Sequence, residues 1–307
     1  MQQKVSQYPS HPVTVVIPVY NRAGIVRRVL ESLDAQSCRD FGVVLVDNAS
    51  TDGTRAVLEE WSRQTSLTVR IASESRRGAA AARQTGLGLC DSEWVMFFDS
   101  DDTMRPDHCR RALEAAGDCD MVGWDVCLHT TDGAEEVHRF YADDAQFHSL
   151  FHGSTATQRY MARTELFRRA GGWDPTVRYW DDIELGARVL ALNPRVRHAG
   201  RCISVDVHAQ EQSITGTRYS DSADKAAVAL EAIRRTLGPE HAFPVDVKAA
   251  ILAADCAKEG AAGTAKDIMN AALARYSDMR RRLILRAAYA WCRAGLRGAA
   301  RILRPLL

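Results

Sequence analysis

Hydrophobic and polar positions alternate between two periods along the first hundred residues. The β-branched run "VTVVIPVYN" (13–21) closes on Pro and Asn and reads as a buried strand. Behind it, Ile25, Val29 and Leu33 recur at helical spacing. "FGVVLVDNASTDGT" (41–54) is a second apolar run that ends in a turn rich in Asn, Ser, Asp and Gly, and helical periodicity resumes from Thr54 to Ser62. "LTVRIAS" (67–73) predicts a third strand, the Ala-rich "RRGAAAARQTGLGLC" a helix, and "EWVMFFDSDD" a fourth strand. Strands alternating with helices imply βαβ crossovers and a mostly parallel sheet. Ligands of such sheets bind beyond the carboxyl ends of the strands. Three of these strands end in polar clusters: Tyr20-Asn21, Asp47-Asn48 and Asp99-Ser100-Asp101. The three clusters are therefore expected to meet at one sheet edge.

The pattern then changes. "DVCLHTTDGAEEVHRF" (125–140) sets an Asp-Gly turn between two strand-like stretches and predicts a hairpin. "RYMARTELFRRAGGWDP" and "YWDDIELGARVLALNP" predict two helices about a Gly-Gly-Trp turn, and "CISVDVHAQEQSIT" (202–215) a strand running into a polar loop. From about Ser222 the chain is Ala-rich and helical, broken at Gly238-Pro239 and Gly260. These shifts divide the chain into an α/β part, 1–220, and a helical part, 221–307. The last stretch, 279–307, holds eight arginines and no acid. Arg282, Arg286, Arg293, Arg297, Arg301 and Arg304 recur at helical spacing among Leu283, Trp291, Ala294, Ile302 and Leu303. Such a helix either packs its apolar face on the preceding helices or lies on anionic lipid, Trp and Leu inward. The helical part is also a candidate homodimer interface.

Composition narrows the class. A net charge of +1 over 307 residues argues against a nucleic-acid binder acting through bulk charge. The eight cysteines include no C-x-x-C pair, which argues against a zinc knuckle. A disulfide framework is not expected in a chain of this length, so the cysteines point to a reduced, cytoplasmic setting. The polar N-terminus reads as no signal peptide, and no apolar run reaches the roughly 18 residues that a membrane span needs. The expected location is cytoplasmic, with peripheral contact at the inner face of the membrane as the lipid-binding variant of the same reading.

The chemistry concentrates in "FFDSDDTM" (97–104), where Asp99, Asp101 and Asp102 follow an apolar run. One reading is a solvated turn, since Asp and Ser favour turns. The other is a hard divalent cation, Mn²⁺ or Mg²⁺, held by one or two carboxylates together with substrate phosphates. "VVIPVYNR", "VLVDNASTDGT", "ARQTGL" and "FFDSDDTMRPD" stand in the order and spacing of family 2 glycosyltransferases, which have the GT-A fold. The chain resembles that family over roughly residues 12–215, about two thirds of its length.

The resemblance implies a metal-dependent, inverting transfer from a nucleotide-sugar donor, UDP-linked by expectation, to a hydroxyl of a glycan or lipid-linked acceptor. By it, Pro18, Tyr20 and Arg22 line the nucleobase pocket, with plain packing as the alternative for Tyr20. Asp47 accepts a hydrogen bond from the base, while Asp52 and Gly53 form an Asx-type turn. Gly78 and Arg83 match the pattern. Arg76 stands where Asn is usual and Gln84 where the common motif has Asn, so the role of Arg76, phosphate contact or solvated surface, stays open. Asp99, with Ser100 beside it, reaches the ribose or the metal's hydration shell, and Asp101 is the direct metal ligand. Asp102 is a second ligand or a helix N-cap. His208 reaches the metal or the pyrophosphate, unless it is structural. "YWDDIELGAR" (179–188) resembles the family's acidic pair: Asp182 is the general base with Asp181 orienting it, or both only cap a helix. Gly171 and Gly172 allow close approach at the sugar site, Trp173 stacks on the acceptor or fills the core, His152 is an acceptor-pocket candidate, and Glu184 faces solvent. Two rivals stand beside this reading. A sugar nucleotidyltransferase needs a Gly-rich, Lys-containing loop after the first strand, which "PVYNRAGIV" lacks. A non-catalytic binding module would be expected to have lost an acid from 99–102 or 181–182, and none is lost.

Overall fold

The valine-rich runs form the middle of a seven-stranded sheet. The computed structural model describes residues 11–209, 218–296 and 298–306. Its first elements are β1 (Val13–Val19), α1 (Val26–Asp34), β2 (Phe41–Asp47), α2 (Thr54–Gln64), β3 (Thr68–Ser73), α3 (Ala79–Gly88) and β4 (Trp94–Phe97), close to the pattern's expectation. Next come β5 (Thr103–Met104), α4 (His108–Ala116), β6 (Met121–Gly123), β7 (Val126–His129), β8 (Glu135–His138), α5 (Ala145–His152), β9 (Tyr160–Arg163), α6 (Thr164–Arg169), α7 (Asp181–Leu190), β10 (Val196–His198) and β11 (Val205–His208). The large sheet has the order β10-β6-β9-β4-β1-β2-β3. Strands β4, β1, β2 and β3 are mutually parallel, and β9 runs antiparallel to β4 and β6. A small sheet, β5-β11-β7-β8, carries the expected hairpin at β7 and β8.

Two apolar layers cover the large sheet. Val13, Val15, Ile17 and Val19 face one side with Val29, Leu33 and Trp94. Val16, Val44, Val46 and Phe97 face the other with Ala82, Phe167 and Trp173. This alternation is what makes β1 readable, and each fully buried Val or Ile contributes about 1.5–3 kcal/mol. Where a helix was expected from Arg159 on, Tyr160–Arg163 instead forms β9, locked between β4 and β6. Sheet pairing overrides the local pattern there.

The remaining helices are α8 (Ala223–His241), α9 (Phe243–Lys258), α10 (Ala262–Ala274), α11 (Met279–Arg293) and α12 (Ala299–Leu303). Breaks fall at Gly238 (φ 72°) and Gly260 (φ 88°), as the sequence indicates. A third apolar cluster joins these helices to the α/β part, because Leu150 of α5 and Tyr179, Ile183 and Ala187 at α7 pack with Phe243, Val247, Ala250 and Leu285. Helix α11 buries Ile284, Leu285 and Ala288, while Met279, Leu283, Trp291 and Leu296 stay exposed. The final stretch is not one helix: Gly295 (φ 79°) and Gly298 (φ 81°) break it, and Arg304 folds back to Asp144 at 2.7 Å. Arg297, the ten N-terminal residues and most of the polar loop expected after His208 lie outside the described residues. Among the described residues, no helix is long and apolar enough to cross a membrane.

Candidate active site

Parallel register sets the site. Val19 pairs with Asp47 across β1 and β2, and Val16 with Phe97 across β1 and β4. The three polar clusters consequently emerge at one edge. The Asn21 amide donates to Ser50 Oγ at 3.0 Å, and Arg22 Nη2 lies 3.8 Å from Asp101 Oδ2.

On one side of this edge, Tyr20 is exposed beneath the Arg77 guanidinium, 5.3 Å from its ring, and Pro18 is half-buried. Asp47 is buried and accepts the Ser50 amide at 3.2 Å. Asp52 makes the expected turn, accepting from the Thr54 amide at 2.9 Å. Buried Asn48 donates to the carbonyls of Glu74 and Arg76 at 3.0 and 2.7 Å and accepts the Gly78 amide at 2.8 Å. It ties the 74–78 loop to the sheet, where Gly78 adopts φ 137°, a conformation that side chains resist. Arg76 grips buried Glu74 with two bonds of 3.2 and 3.0 Å, and Arg76 and then Thr85 hold that carboxyl down to about 2. The Arg76 side chain itself stays exposed, at 63%, while its partner Glu74 is buried. Asn48 stands in one of the three polar clusters read from the strand ends, but sequence reasoning missed Glu74 and Arg77, because polar turn residues carry no periodic signal.

The acidic loop has three carboxylates with three different partners. Asp99 accepts from Arg83 Nη2 at 2.7 Å. Ser100 is buried beside it. Burial, then the charge of Asp99, pushes the Asp101 carboxyl up, while Arg28 binds the Asp101 carbonyl at 2.6 Å. Burial, then Asp99 and Asp101, raises Asp102 well above the usual carboxylate range. Asp102 accepts the His208 amide at 2.8 Å, fastening β11 to the loop. It does not cap a helix: the chain enters β5, and α4 begins only at His108. The His208 ring sits 3.2 Å from Thr103 Oγ1 and stacks on His129 at 5.0 Å. Three carboxyls crowded into one loop are a fitting donor set for a hard cation, whose charge would offset their mutual repulsion. Asp99 and Asp101 can offer oxygens to it while phosphate or water fills the other positions. Asp102, half committed to His208, is the weaker donor, and the His208 ring is engaged with Thr103.

The second acidic pair opens α7. Trp180, the residue before it, holds φ 54°, which is uncommon for a bulky side chain and marks local strain. Asp181 accepts from Arg83 Nη1 at 2.9 Å, so one buried guanidinium joins Asp99 to Asp181. Asp182 accepts the Ile183 amide at 2.8 Å. Withdrawal from water, then the charge of Asp181, pushes its carboxyl up to about 7. Around the pair, Arg83 Nε, the Tyr160 hydroxyl and Trp173 Nε1 are buried without hydrogen-bond partners among the described residues. Trp173 is core: buried, edge-on to Phe97 at 5.0 Å and beneath Arg83 at 4.6 Å. Gly172 (φ 68°) makes its close approach to a side chain, since a β-carbon there would lie 2.2 Å from Gln84 Oε1. That same oxygen accepts the Trp173 amide at 2.7 Å, so Gln84 is a strut for the Gly-Gly-Trp turn. Glu184 is not solvated; it is buried and bound to Arg188 by two 2.7 Å bonds.

Comparison with known proteins agrees with this architecture. The chain is 28% identical over 242 residues to the succinoglycan biosynthesis protein ExoO of Rhizobium meliloti (strain 1021), covering 73% of this chain and 68% of that protein. ExoW of the same strain is 36% identical over 106 residues, 34% of this chain and 33% of its own length. Other curated relatives are matched over 47% and 33% of their own length. Among solved structures, S. aureus TarS 1–349 in complex with UDP-GlcNAc superposes with a TM-score of 0.63 at 17% identity, covering 95% of this chain and 91% of that one. The Pyrobaculum calidifontis mannosyltransferase PcManGT, in complex with GDP-Man and Mn²⁺, gives 0.56 at 21% identity, covering 99% and 90%. Both likenesses identify the fold as GT-A. The model of glycosyl transferase family 2 matches residues 14–171, more than half of the 307 residues, and the chain belongs to that family.

Proposed function

We propose that the protein is an inverting glycosyltransferase that moves a sugar from a UDP-linked donor to a hydroxyl of a glycan or lipid-linked acceptor. One observation carries the reading: Arg83 ties Asp99, at the end of the donor-side strand, to Asp181, next to a carboxyl poised near neutrality. Tyr20, Pro18, Arg22 and Asp47 line the base and ribose side, with Arg77 stacked on Tyr20. Asp101 and Asp99 would hold Mn²⁺ or Mg²⁺, which when bound neutralises the diphosphate of the donor. Asp182 takes the proton from the acceptor oxygen as that oxygen attacks the anomeric carbon, and the nucleoside diphosphate leaves from the opposite face. Its position at a helix start and its raised pKa suit a base working near pH 7. The UDP-GlcNAc of TarS and the GDP-Man of PcManGT support a nucleotide-sugar donor, and the name of ExoO supports a polysaccharide product. Residues 1–220 form the transferase unit in this reading, and 221–307 back its acceptor side.

Calorimetry with UDP tests the donor side. UDP is expected to bind at least about tenfold more tightly with Mn²⁺, and Asp101→Ala is expected to erase that difference, about 1.4 kcal/mol or more. Equal UDP affinity with and without the metal would remove the assignment. A panel of nucleotide sugars, read by nucleoside diphosphate release, then identifies the donor.

Exposed Met279, Leu283 and Leu296, set among arginines, fit peripheral contact with an anionic membrane surface. Sedimentation with phosphatidylglycerol vesicles is expected to carry the protein down at low salt and release it at high salt. Protein that stays in the supernatant at low salt contradicts the contact.

A further inference from the structure

The small sheet gathers metal-ligating side chains on one face. Alternation puts Cys127 and His129 of β7 on the same side. Glu135 of β8 stands directly opposite His129, and Asp206 and His208 of β11 stand beside Cys127 and His129. Cys127 Sγ, a ring nitrogen of His129 and a carboxylate oxygen of Glu135 all lie within 4.8 Å of one another. The surroundings fix the imidazole. His129 Nε2 is 2.9 Å from Asp206 Oδ1, and an ionised carboxylate only accepts, so Nε2 carries a proton. Asp206 also accepts two bonds of 2.9 Å from Arg105, which commits it to holding the ring in place. Nδ1 is thereby turned toward Glu135 Oε1 at 3.4 Å. That separation is longer than the roughly 2.7–2.9 Å of a charge-assisted hydrogen bond. It matches the roughly 3.3 Å between two ligand atoms on one tetrahedral zinc ion, given bonds of about 2.0–2.1 Å.

We infer that Cys127, His129 and Glu135 bind a divalent ion of the zinc class, at a second metal site that differs in place and in chemistry from Asp99 and Asp101. A thiolate beside an imidazole selects a borderline-soft ion, whereas Mn²⁺ and Mg²⁺ take oxygen donors. On binding, the thiol proton passes to solvent. Cys127 is buried, His129 half-buried and Glu135 exposed, so water fills the fourth tetrahedral position from the Glu135 side. Without an ion, a neutral His129 ring points a lone pair at a carboxylate; the ion removes that repulsion and joins the two groups. Asp206 has the place of the outer carboxylate that fixes ring and tautomer in such sites. No C-x-x-C pair is needed, because sheet register rather than sequence spacing brings the donors together. The ion fastens β8, an edge strand exposed at all four positions, to β7. Strand β11, held to Asp102 through the His208 amide, separates β7 from β5 and the acidic loop. The site is independent of the donor, acceptor and base assigned above.

Cobalt reads the site, because a thiolate ligand gives Co²⁺ an intense near-ultraviolet charge-transfer band that oxygen and nitrogen ligands do not. The full-length protein, free of any affinity tag, is stripped with a chelator and kept reduced. It is then titrated with Co²⁺ or Zn²⁺ in the presence of excess Mg²⁺, which occupies the acidic loop. The wild type is expected to show the band and to bind Zn²⁺ with a Kd of about 10 μM or tighter, weaker than a closed four-ligand site. With zinc about 100-fold above that Kd, the melting temperature is expected to rise by about 5 °C. Cys127→Ser should abolish the band. Glu135→Gln, at an exposed position that leaves the core untouched, should weaken Zn²⁺ binding at least about tenfold. The inference is overturned if the wild type shows no band, or if the band survives in Cys127→Ser, which would put the cobalt on another cysteine. It is equally overturned if wild type and Glu135→Gln bind Zn²⁺ alike, the outcome for an imidazolium that merely bridges two acids. Should Cys127→Ser fail to fold, Glu135→Gln decides alone.

Discussion

Asp182→Asn is expected to lower turnover by about 10²- to 10⁴-fold while leaving UDP binding intact, the range a positioned general base supplies. The carboxamide keeps the shape and the contact with the Ile183 amide but cannot take a proton. The wild-type rate should rise with pH through about 7, where burial and Asp181 place this carboxyl, and then level off. Stability should run the other way. A carboxyl whose folded pKa lies above its unfolded value of 3.8 holds a proton longer in the native state, so stability falls as pH climbs from about 4 to about 7. Asp182→Asn removes that loss, and its melting temperature at pH 8 is expected to equal or exceed that of the wild type. Initial rates of nucleoside diphosphate release from pH 5.5 to 9, with melts at pH 5 and 8, check both halves. A variant that melts lower yet turns over normally would make Asp182 a capping residue.

Loss of Arg83 is expected to cost stability as well as activity. Its side chain is 7% exposed and meets Asp99 and Asp181, themselves 31% and 19% exposed, through separate nitrogens. Arg83→Met leaves both acids without a cation, and breaking a largely buried pair in this way costs about 3 kcal/mol or more. At about 2 °C or more per kcal/mol for a chain of this size, the melting temperature should fall by at least about 6 °C. Arg83→Lys should recover little, since one ammonium cannot reach two carboxylates from a rigid fork. Adding Asp181→Asn to Arg83→Met should restore part of the loss, because it neutralises one orphaned acid. Thermal melts of the three variants decide this. An Arg83→Met protein that melts within about 1 °C of wild type would mean that the three groups are not coupled.

The parts of this site that could be read from the chain alone are those fixed by strand ends. Parallel register follows from β-branched runs separated by amphipathic helices, so Tyr20, Asp47 and Asp99–Asp101 had to share an edge. Gly238 and Gly260 announce their helix breaks by interrupting an Ala-rich pattern. What stayed illegible depends on distant pairing. Strand β9 carries a helix-like pattern and is held extended only by β4 and β6. Glu184 looks solvated beside Asp182 because nothing local reveals that α7 is covered on both faces. Asp102 reads as a cap until β11, more than a hundred residues away, brings its amide to the carboxylate.

Helix α7 belongs to two interiors at once: Leu185 and Val189 lie against the sheet, while Ile183 and Ala187 lie against α8 and α9. A chimera that exchanged the helical bundle for a relative's by splicing at residue 220 would thus keep one wall of the foreign interior and discard the wall that evolved with it. Successful recombination should cut along this helix, transplanting its outward residues together with the bundle they contact.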